Sequence, residues 1–152
     1  MIIGICIGII ATIFFGDLWI KNNIEKNVVE GSEKRKLGGL LLIRRHHNRG
    51  MTLNFGEKKR PLVAVLSTVL VAVMTVVFIL SLGQQGNNLL RIGLSLILGG
   101  GFSNTYDRLK RKYVVDYVSF GVKWKWFRKV VFNCSDFCIM IGALLVALGA
   151  RR

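Results

Sequence analysis

The 152 residues include eight acids, and several of these, with a few asparagines, stand where apolar segments begin or end. Asp136 is the most informative. It falls in an apolar run from Val130 to Ala150, about 9 Å inside a helix that starts at Val130. An aspartate within a bilayer costs about 2.5–3.5 kcal/mol on insertion scales, so one found there is expected to have a partner or a task. Asp116 lies in the polar segment that leads to this run. Two carboxylates that share a proton can activate a water with one member and protonate a leaving nitrogen with the other. Their like charge keeps the pair singly protonated. Asp116 and Asp136 could meet if the connection carries the first to the mouth of the helix that holds the second.

Other routes to hydrolysis have less behind them. A serine mechanism needs a histidine with an orienting partner, and the two histidines are adjacent at 46 and 47. A zinc site is also poorly served, because neighbouring residues on a strand point to opposite faces and Cys134 and Cys138 belong to another segment, outside ligand spacing. No metal and no cofactor is expected.

The elements that must position these groups are apolar helices. Of the chain, 52% is hydrophobic, and its mean hydropathy is +0.48. The apolar residues are segmented as in a multi-span membrane protein. Spans are predicted at about 2–20, 62–82, 89–106 and 130–150, in one domain covering 1–152. The first apolar run lacks a basic leader and a small-residue cleavage site, and reads as a retained span. Leu40 to Ile43 and Met51 to Phe55 suit two short strands around a turn at His46 to Gly50. The fold class expected is thus all-α membrane, a four-transmembrane-helix bundle with a small extramembrane β-containing element. Cys6, Cys134 and Cys138, an odd count in apolar surroundings, read as packing residues rather than a disulfide framework.

The formal net charge is +14, with 22 Lys and Arg. Because this charge lies between apolar spans, anionic lipid headgroups are the expected partner, and nucleic acid is not. With helices alternating in direction, both long connections share one membrane face. There the polar residues gather: Asp17 and Lys21 at the end of the first span, Asn48 in the first connection, Asn104, Asp107 and Arg108 at the end of the third span, Asp116 in the second connection, and Asn133 and Asp136 opening the fourth.

Read in order, these residues resemble the motifs of the lipoprotein signal peptidase (signal peptidase II) family. The third span ends Asn104-Thr105-Tyr106-Asp107-Arg108, like the family's Asn-x-x-Asp-Arg. Val114-Val115-Asp116 looks like its Val-x-Asp, and Phe132-Asn133-Cys134-Ser135-Asp136 like its Phe-Asn-x-Ala-Asp. Asp17-x-x-x-Lys21 and Asn48-Arg49-Gly50 are similar to its two earlier motifs. Ser135 departs from the usual Ala, Leu18 from Gln, and Met51-Thr52-Leu53 from Ala-Ala-Phe. The resemblance implies an aspartic endopeptidase with Asp116 and Asp136 as its catalytic pair. Asn48, Asn104, Arg108, Asn133, Asp17 and Lys21 would bind substrate or support the dyad, and Asp107 and Gly100 would be structural, Asp107 bracing Arg108 and the helix end. The implied substrate is a prolipoprotein whose cysteine already carries diacylglycerol, cut just before that cysteine. The implied setting is a monomer, multi-pass in the bacterial cytoplasmic (inner) membrane, with its active face outward.

Plainer readings stand beside these. Asp17 and Lys21 also suit a simple i,i+4 ion pair, and Gly99 to Gly101 suit close helix packing. His46 and His47 read as solvated or lipid-facing, and Trp124, Trp126 and Phe127 as interface anchors. The loop charge alone would place the basic connections in the cytoplasm, opposite to the family orientation. A catalytically silent relative, or a basic membrane protein that binds lipoproteins or anionic lipids, is the alternative function.

Overall fold

The computed structural model describes residues 1–50, 59–83 and 86–150. It is mostly helical with a small antiparallel sheet. The elements in order are α1 (Ile2–Asn27), β1 (Lys34–Lys36), a 3-10 turn at Leu37–Gly39, β2 (Leu41–Asn48), α2 (Arg60–Leu82), α3 (Asn88–Lys110), β3 (Val114–Phe120), the short α4 (Lys125–Arg128) and α5 (Cys134–Gly149).

Helix α3 is the axis of the molecule, and α1, α2 and α5 pack around it. Three successive glycines make this possible. Consecutive helical residues point about 100° apart, so Gly99, Gly100 and Gly101 face three different neighbours. A methyl group built on Gly99 would lie 2.8 Å from Cβ of Ile13 in α1, one on Gly100 2.5 Å from the carbonyl of Ser135 in α5, and one on Gly101 2.9 Å from Cγ2 of Val71 in α2. Gly93 and Gly142 extend the α3–α5 seam, each approaching the other's backbone too closely for a side chain. Small residues let helix backbones meet where lipid offers no hydrophobic drive for association.

The outer faces are apolar. Leu66, Val69, Val73, Val76, Ile79 and Leu80 of α2 are all exposed, as are Ile3, Ile7 and Phe15 of α1. Within α2, the hydroxyls of Ser67, Thr68 and Thr75 donate to carbonyls one turn back at 2.8–2.9 Å, so no side-chain donor is left facing hydrocarbon. Both α1 and α2 are long and apolar enough to cross a membrane, and α5 is an apolar helix of 16 residues.

The sheet has the order β1-β2-β3. In the β2–β3 pairing Leu41 faces Phe120, His46 faces Asp116 and Asn48 faces Val114, with an irregularity between Ile43 and His46. The outer edge of β3 is fastened two residues before α5: Val118 and Phe132 bond each other's backbones at 2.7 and 2.8 Å. Phe120, Phe127, Phe132 and Phe137 cluster over this junction.

Several sequence expectations are corrected. Asp17 and Lys21 do not end the first helix, which runs on to Asn27, because both find partners inside the bundle. The third helix continues to Lys110. The last begins at Cys134 rather than Val130, so Asp136 sits in its first turn and not 9 Å inside. His46 and His47 belong to a continuous strand instead of a turn, and the second strand expected at Met51 to Phe55 lies outside the described residues. The segment after Lys112, read as the second connection, contains β3.

Candidate active site

Asp116 and Asp136 line one cavity of about 830 Å³. They reach it from different elements. Asp116 is buried on β3, whose side chains are covered on both faces over Val114–Tyr117. Asp136 is fixed by helix capping: Asn133 Oδ1 accepts the Asp136 N–H at 2.9 Å, and Asp136 Oδ2 accepts the Asn133 N–H at 3.0 Å. This reciprocal box satisfies two otherwise orphan donors at the helix start, and it is written in the sequence as Asn-Cys-Ser-Asp.

Asn133 also ties the two carboxyl groups together. Its Nδ2 donates to Asp116 Oδ1 at 2.8 Å and to Asn104 Oδ1 at 3.2 Å. Asn48, at the end of β2, donates to Asp116 Oδ2 at 3.0 Å, and its own carbonyl is held by the Gly50 N–H at 3.1 Å. Asn104, in the last turns of α3, donates to Asp136 Oδ1 at 3.0 Å. All four carboxyl oxygens thus receive a hydrogen bond from an amide. Burial above all, then the charge of Asp136, pushes Asp116 up from 3.8 to about 7, against the pull of the bonds from Asn48 and Asn133. Such a carboxyl keeps a proton near neutrality that an exposed aspartate has lost.

The rest of the cavity is asymmetric. Arg108 stands on the wall, donating to Asn104 O and Gly50 O at 3.3 Å each. Leu70, Val71 and Met74 of α2 and Ile97 of α3 make the opposite side apolar, with Ile139 and Met140 of α5. The site is a polar floor under a greasy slot between α2 and α5.

Behind that floor lies a second polar cluster, sealed from the cavity. Lys21 is fully buried, with Nζ 2.8 Å from Asp17 Oδ2 and 3.1 Å from Asp107 Oδ2. It also donates to Ser103 Oγ at 3.0 Å and Asn104 Oδ1 at 2.9 Å. Asp17 accepts from Ser103 at 2.7 Å, from Ser135 at 2.5 Å and from Tyr117 at 2.9 Å. Asp107 pairs with Arg111 at 3.0 Å and accepts the Val115 N–H at 3.3 Å. Two acids and two cations therefore balance. Asn104 joins the halves, because its carbonyl is occupied by Lys21 and Asn133, which leaves its NH2 aimed at Asp136.

This geometry refines the expected assignments. Asp17, Lys21 and Asn133 are buried and do not line the cavity; they contact the residues that do. Asp107 makes its ion pairs with Lys21 and Arg111, where bracing of Arg108 was expected. Asp17 and Lys21 are more than an isolated i,i+4 pair. His47, expected to be solvated or lipid-facing, lies 2.7 Å from Glu25 Oε1 and stacks on Tyr113 at 4.0 Å, while His46 lines the cavity. Tyr117, Ser103 and Ser135 were missed. Their shared partner Asp17 lies 100 residues from Tyr117 and 118 from Ser135, and only the folded chain brings them together. A hydroxyl beside three of the motif residues (103 before 104, 117 after 116, 135 before 136) was the available hint. Among the described residues no group of three or more His, Cys, Asp and Glu could hold a metal.

Known proteins resemble the chain over most of its length. The family described as Signal peptidase (SPase) II matches residues 9–151. The lipoprotein signal peptidase of Caldicellulosiruptor bescii is 33% identical over 138 residues, 91% of this chain and 85% of that protein. That of Lactobacillus johnsonii is 31% identical over 134 residues, covering 88% and 83%. That of Clostridium tetani is 34% identical over 101 residues, and the match spans 63% of its length. A bacterial membrane enzyme solved at 2.3 Å superposes with a TM-score of 0.81 at 20% identity, over 97% of this chain and 88% of that one. A second, solved at 1.9 Å, gives 0.80 at 21% identity over 97% and 93%.

Proposed function

This chain belongs to the signal peptidase II family, and we propose that it is a membrane-embedded aspartic endopeptidase that removes signal peptides from diacylglyceryl-modified prolipoproteins, cutting just before the lipidated cysteine. The observation that carries this reading is the double engagement of Asn133, whose side chain bonds Asp116 while capping the helix that presents Asp136. It holds two carboxyl groups of separate elements at the polar end of one apolar slot.

The roles follow from the surroundings. Asp116, raised to about 7 mainly by burial, starts with the proton. Asp136, held by two N–H donors, starts as the carboxylate. A water between them gives a proton to Asp136 as its oxygen attacks the scissile carbonyl carbon, and Asp116 gives its proton to the carbonyl oxygen. Collapse of the resulting tetrahedral diol returns a proton to Asp116, breaks the C–N bond, and passes the proton from Asp136 to the departing cysteine nitrogen. Asn48, Asn104 and Asn133 keep the carboxyl oxygens oriented, and Arg108 offers its guanidinium to substrate carbonyls along the wall. The charge-balanced Lys21 cluster holds Asn104. The dyad needs only water, so no metal or cofactor takes part.

The slot between α2 and α5 accepts the substrate's acyl chains laterally. In this reading α1, α2, α3 and α5 all cross the bacterial cytoplasmic membrane, the sheet lies on the outer side and both ends of the chain lie inside. The protein works as a monomer among membrane lipids, anionic ones included. The basic connections then face outward against the loop-charge rule, and cysteine labelling between 26 and 60 in intact cells tests that orientation.

The functional test is cleavage of a synthetic prolipoprotein in lipid nanodiscs, with and without diacylglycerol on the cysteine. The wild-type chain cuts the modified form, and Asp116→Asn and Asp136→Asn do not. Cleavage at wild-type rate by both variants rules out the aspartic mechanism. Binding of the modified substrate without any cleavage by the wild type identifies a silent relative instead.

A further inference from the structure

Far from the dyad, the sheet ends in a tip that has no role in the chemistry above. There the 3-10 turn at Leu37–Gly39 and Leu40 meet Gly121, three residues before Trp124. Gly121 N–H donates to Leu40 O at 2.9 Å, and the two chains are so close that a side chain on Gly121 would strike the carbonyl of Gly39. The backbone of the turn is unusual: Leu37, Gly38 and Gly39 have φ of 48°, 66° and 93°. Left-handed geometry suits the glycines but is strained for leucine. The result is an apolar side chain at the apex of a turn, left 70% exposed. Leu40 is 66% exposed and Trp124 71% exposed beside it.

Cations rim these side chains. Lys34, Arg35 and Lys36 form the whole of β1 and all three are exposed, and Lys123 is exposed on the neighbouring segment. Glu33, the acid next to the patch, is already neutralised: Arg44 lies at 2.5 Å, Arg128 at 3.3 Å and Arg35 at 3.5 Å. An edge strand built only of Lys and Arg resists pairing with another strand, which argues against a protein partner that adds to the sheet. Protruding leucines and a tryptophan inside a basic rim have the composition of a segment that lies in a membrane interface, the apolar tips among the upper acyl chains and the cations among headgroups.

We propose that the tip formed by Lys34 to Leu40 and Val122 to Trp124 is a docking surface for anionic phospholipid headgroups in the leaflet where the active site opens. This rests on the membrane placement given above. Docking secures the sheet at the end away from Asp116, so β3 is held at the helix α5 junction on one side and at the bilayer on the other.

The test reads lipid contact without using proteolysis. A W19F/W126F variant keeps Trp124 as its fluorophore and is placed in nanodiscs of phosphatidylcholine with or without phosphatidylglycerol. Lipids brominated near the headgroup end of the chain should quench Trp124 severalfold more in anionic discs, with a blue-shifted emission. Adding K34E/R35E/K36E should abolish that difference, and adding L37S/L40S should lower quenching in both lipids, each with an unchanged thermal midpoint. Equal quenching with and without phosphatidylglycerol overturns the assignment to anionic lipid. So does a Trp124 that remains open to iodide in every bilayer, or one protected only when a prolipoprotein is added, which would give the patch to a protein. Because the readout is fluorescence, loss of the protease reading would leave these results intact.

Discussion

Asp17 and Asp107 lie behind the floor of the slot, and Asp116 and Asp136 lie in it. The chemical groups are the same, and Asn104 touches both sets through one amide. What differs is the partner. Asp17 and Asp107 share the ammonium of Lys21, and Asp107 adds the guanidinium of Arg111, so their charge is cancelled where no water reaches. The bonds to Asp116 and Asp136 come from amides, which orient the oxygens while leaving the proton free to move. The comparison separates two uses of a buried acid. Matched with a cation in direct contact, a buried acid ties helices together; hydrogen-bonded only by amides, with Arg108 acting on it through space, it keeps a proton that can move, as the proposed mechanism requires. Residue type alone does not distinguish the two.

The largest effects expected are on catalysis in the floor. Asp116→Asn and Asp136→Asn should each lower the rate of cleavage by at least about 10³-fold, the scale of losing positioned acid–base chemistry. Substitution behind the floor should instead strike stability. Lys21→Met leaves two buried carboxylates facing each other, a loss on the order of 3–5 kcal/mol, read as a fall in thermal midpoint. Adding Asp17→Asn to that variant should recover part of it, and failure to recover any would mean the pair is not the source of the loss.

Next in size is packing of the frame that both regions share. Gly100→Ala forces α3 and α5 apart at Ser135, at a cost of about 1–3 kcal/mol, and because that contact lies one residue from Asp136, the turnover of the folded fraction should fall too. The pH profile offers a sharper separation. Since Asp116 must lose its proton only above about 7, cleavage should decline about tenfold per pH unit beyond that point. A profile flat to pH 9 would assign the starting proton elsewhere. The smallest effect is that of Ser135→Ala, which removes one of several donors to Asp17. It should cost about 1 kcal/mol and leave the pH profile where it was.

Much of this was legible in the chain, for identifiable reasons. Helices α1 and α2 announce themselves by long apolar stretches, and α3 by a shorter one between Arg91 and Ser103. Asn104, Asp116, Asn133 and Asp136 stand out because polar residues at apolar boundaries are few. The start of α5 was misplaced because Val130, Val131 and Phe132 are as apolar as the helix, yet they serve the sheet, and Phe132 bridges to Val118. β3 was missed for a related reason. Its residues are covered on both faces, so Val-Val-Asp-Tyr-Val-Ser-Phe shows no inside–outside alternation. Of the Lys21 cluster, Asp17, Lys21, Asn104 and Asp107 were legible as polar residues at one membrane face, but their contacts with one another beyond the i,i+4 pair, and those with Ser103, Tyr117 and Ser135, were not. Its other members come from α3, β3 and α5, and nothing local in the sequence encodes those contacts.

If Asp116 is catalytic, activity and stability must part company there. A carboxyl whose pKa rises from 3.8 to about 7 on folding binds more protons in the folded than in the unfolded state between those values. Its contribution to stability thus falls as pH rises from about 4 to 7 and stays unfavourable above. Asparagine at 116 removes that penalty and keeps one of the two bonds from Asn48 and Asn133; its NH2 cannot accept the other, a loss of about 1–3 kcal/mol that is smaller than the penalty relieved. Thermal midpoint and single-turnover cleavage of Asp116→Asn, measured together at pH 8, are the decisive pair in one experiment. The prediction is a midpoint at or above wild type with cleavage gone. A midpoint well below wild type, with cleavage lost only in proportion to the unfolded fraction, would contradict it and return Asp116 to the same structural class as Asp17.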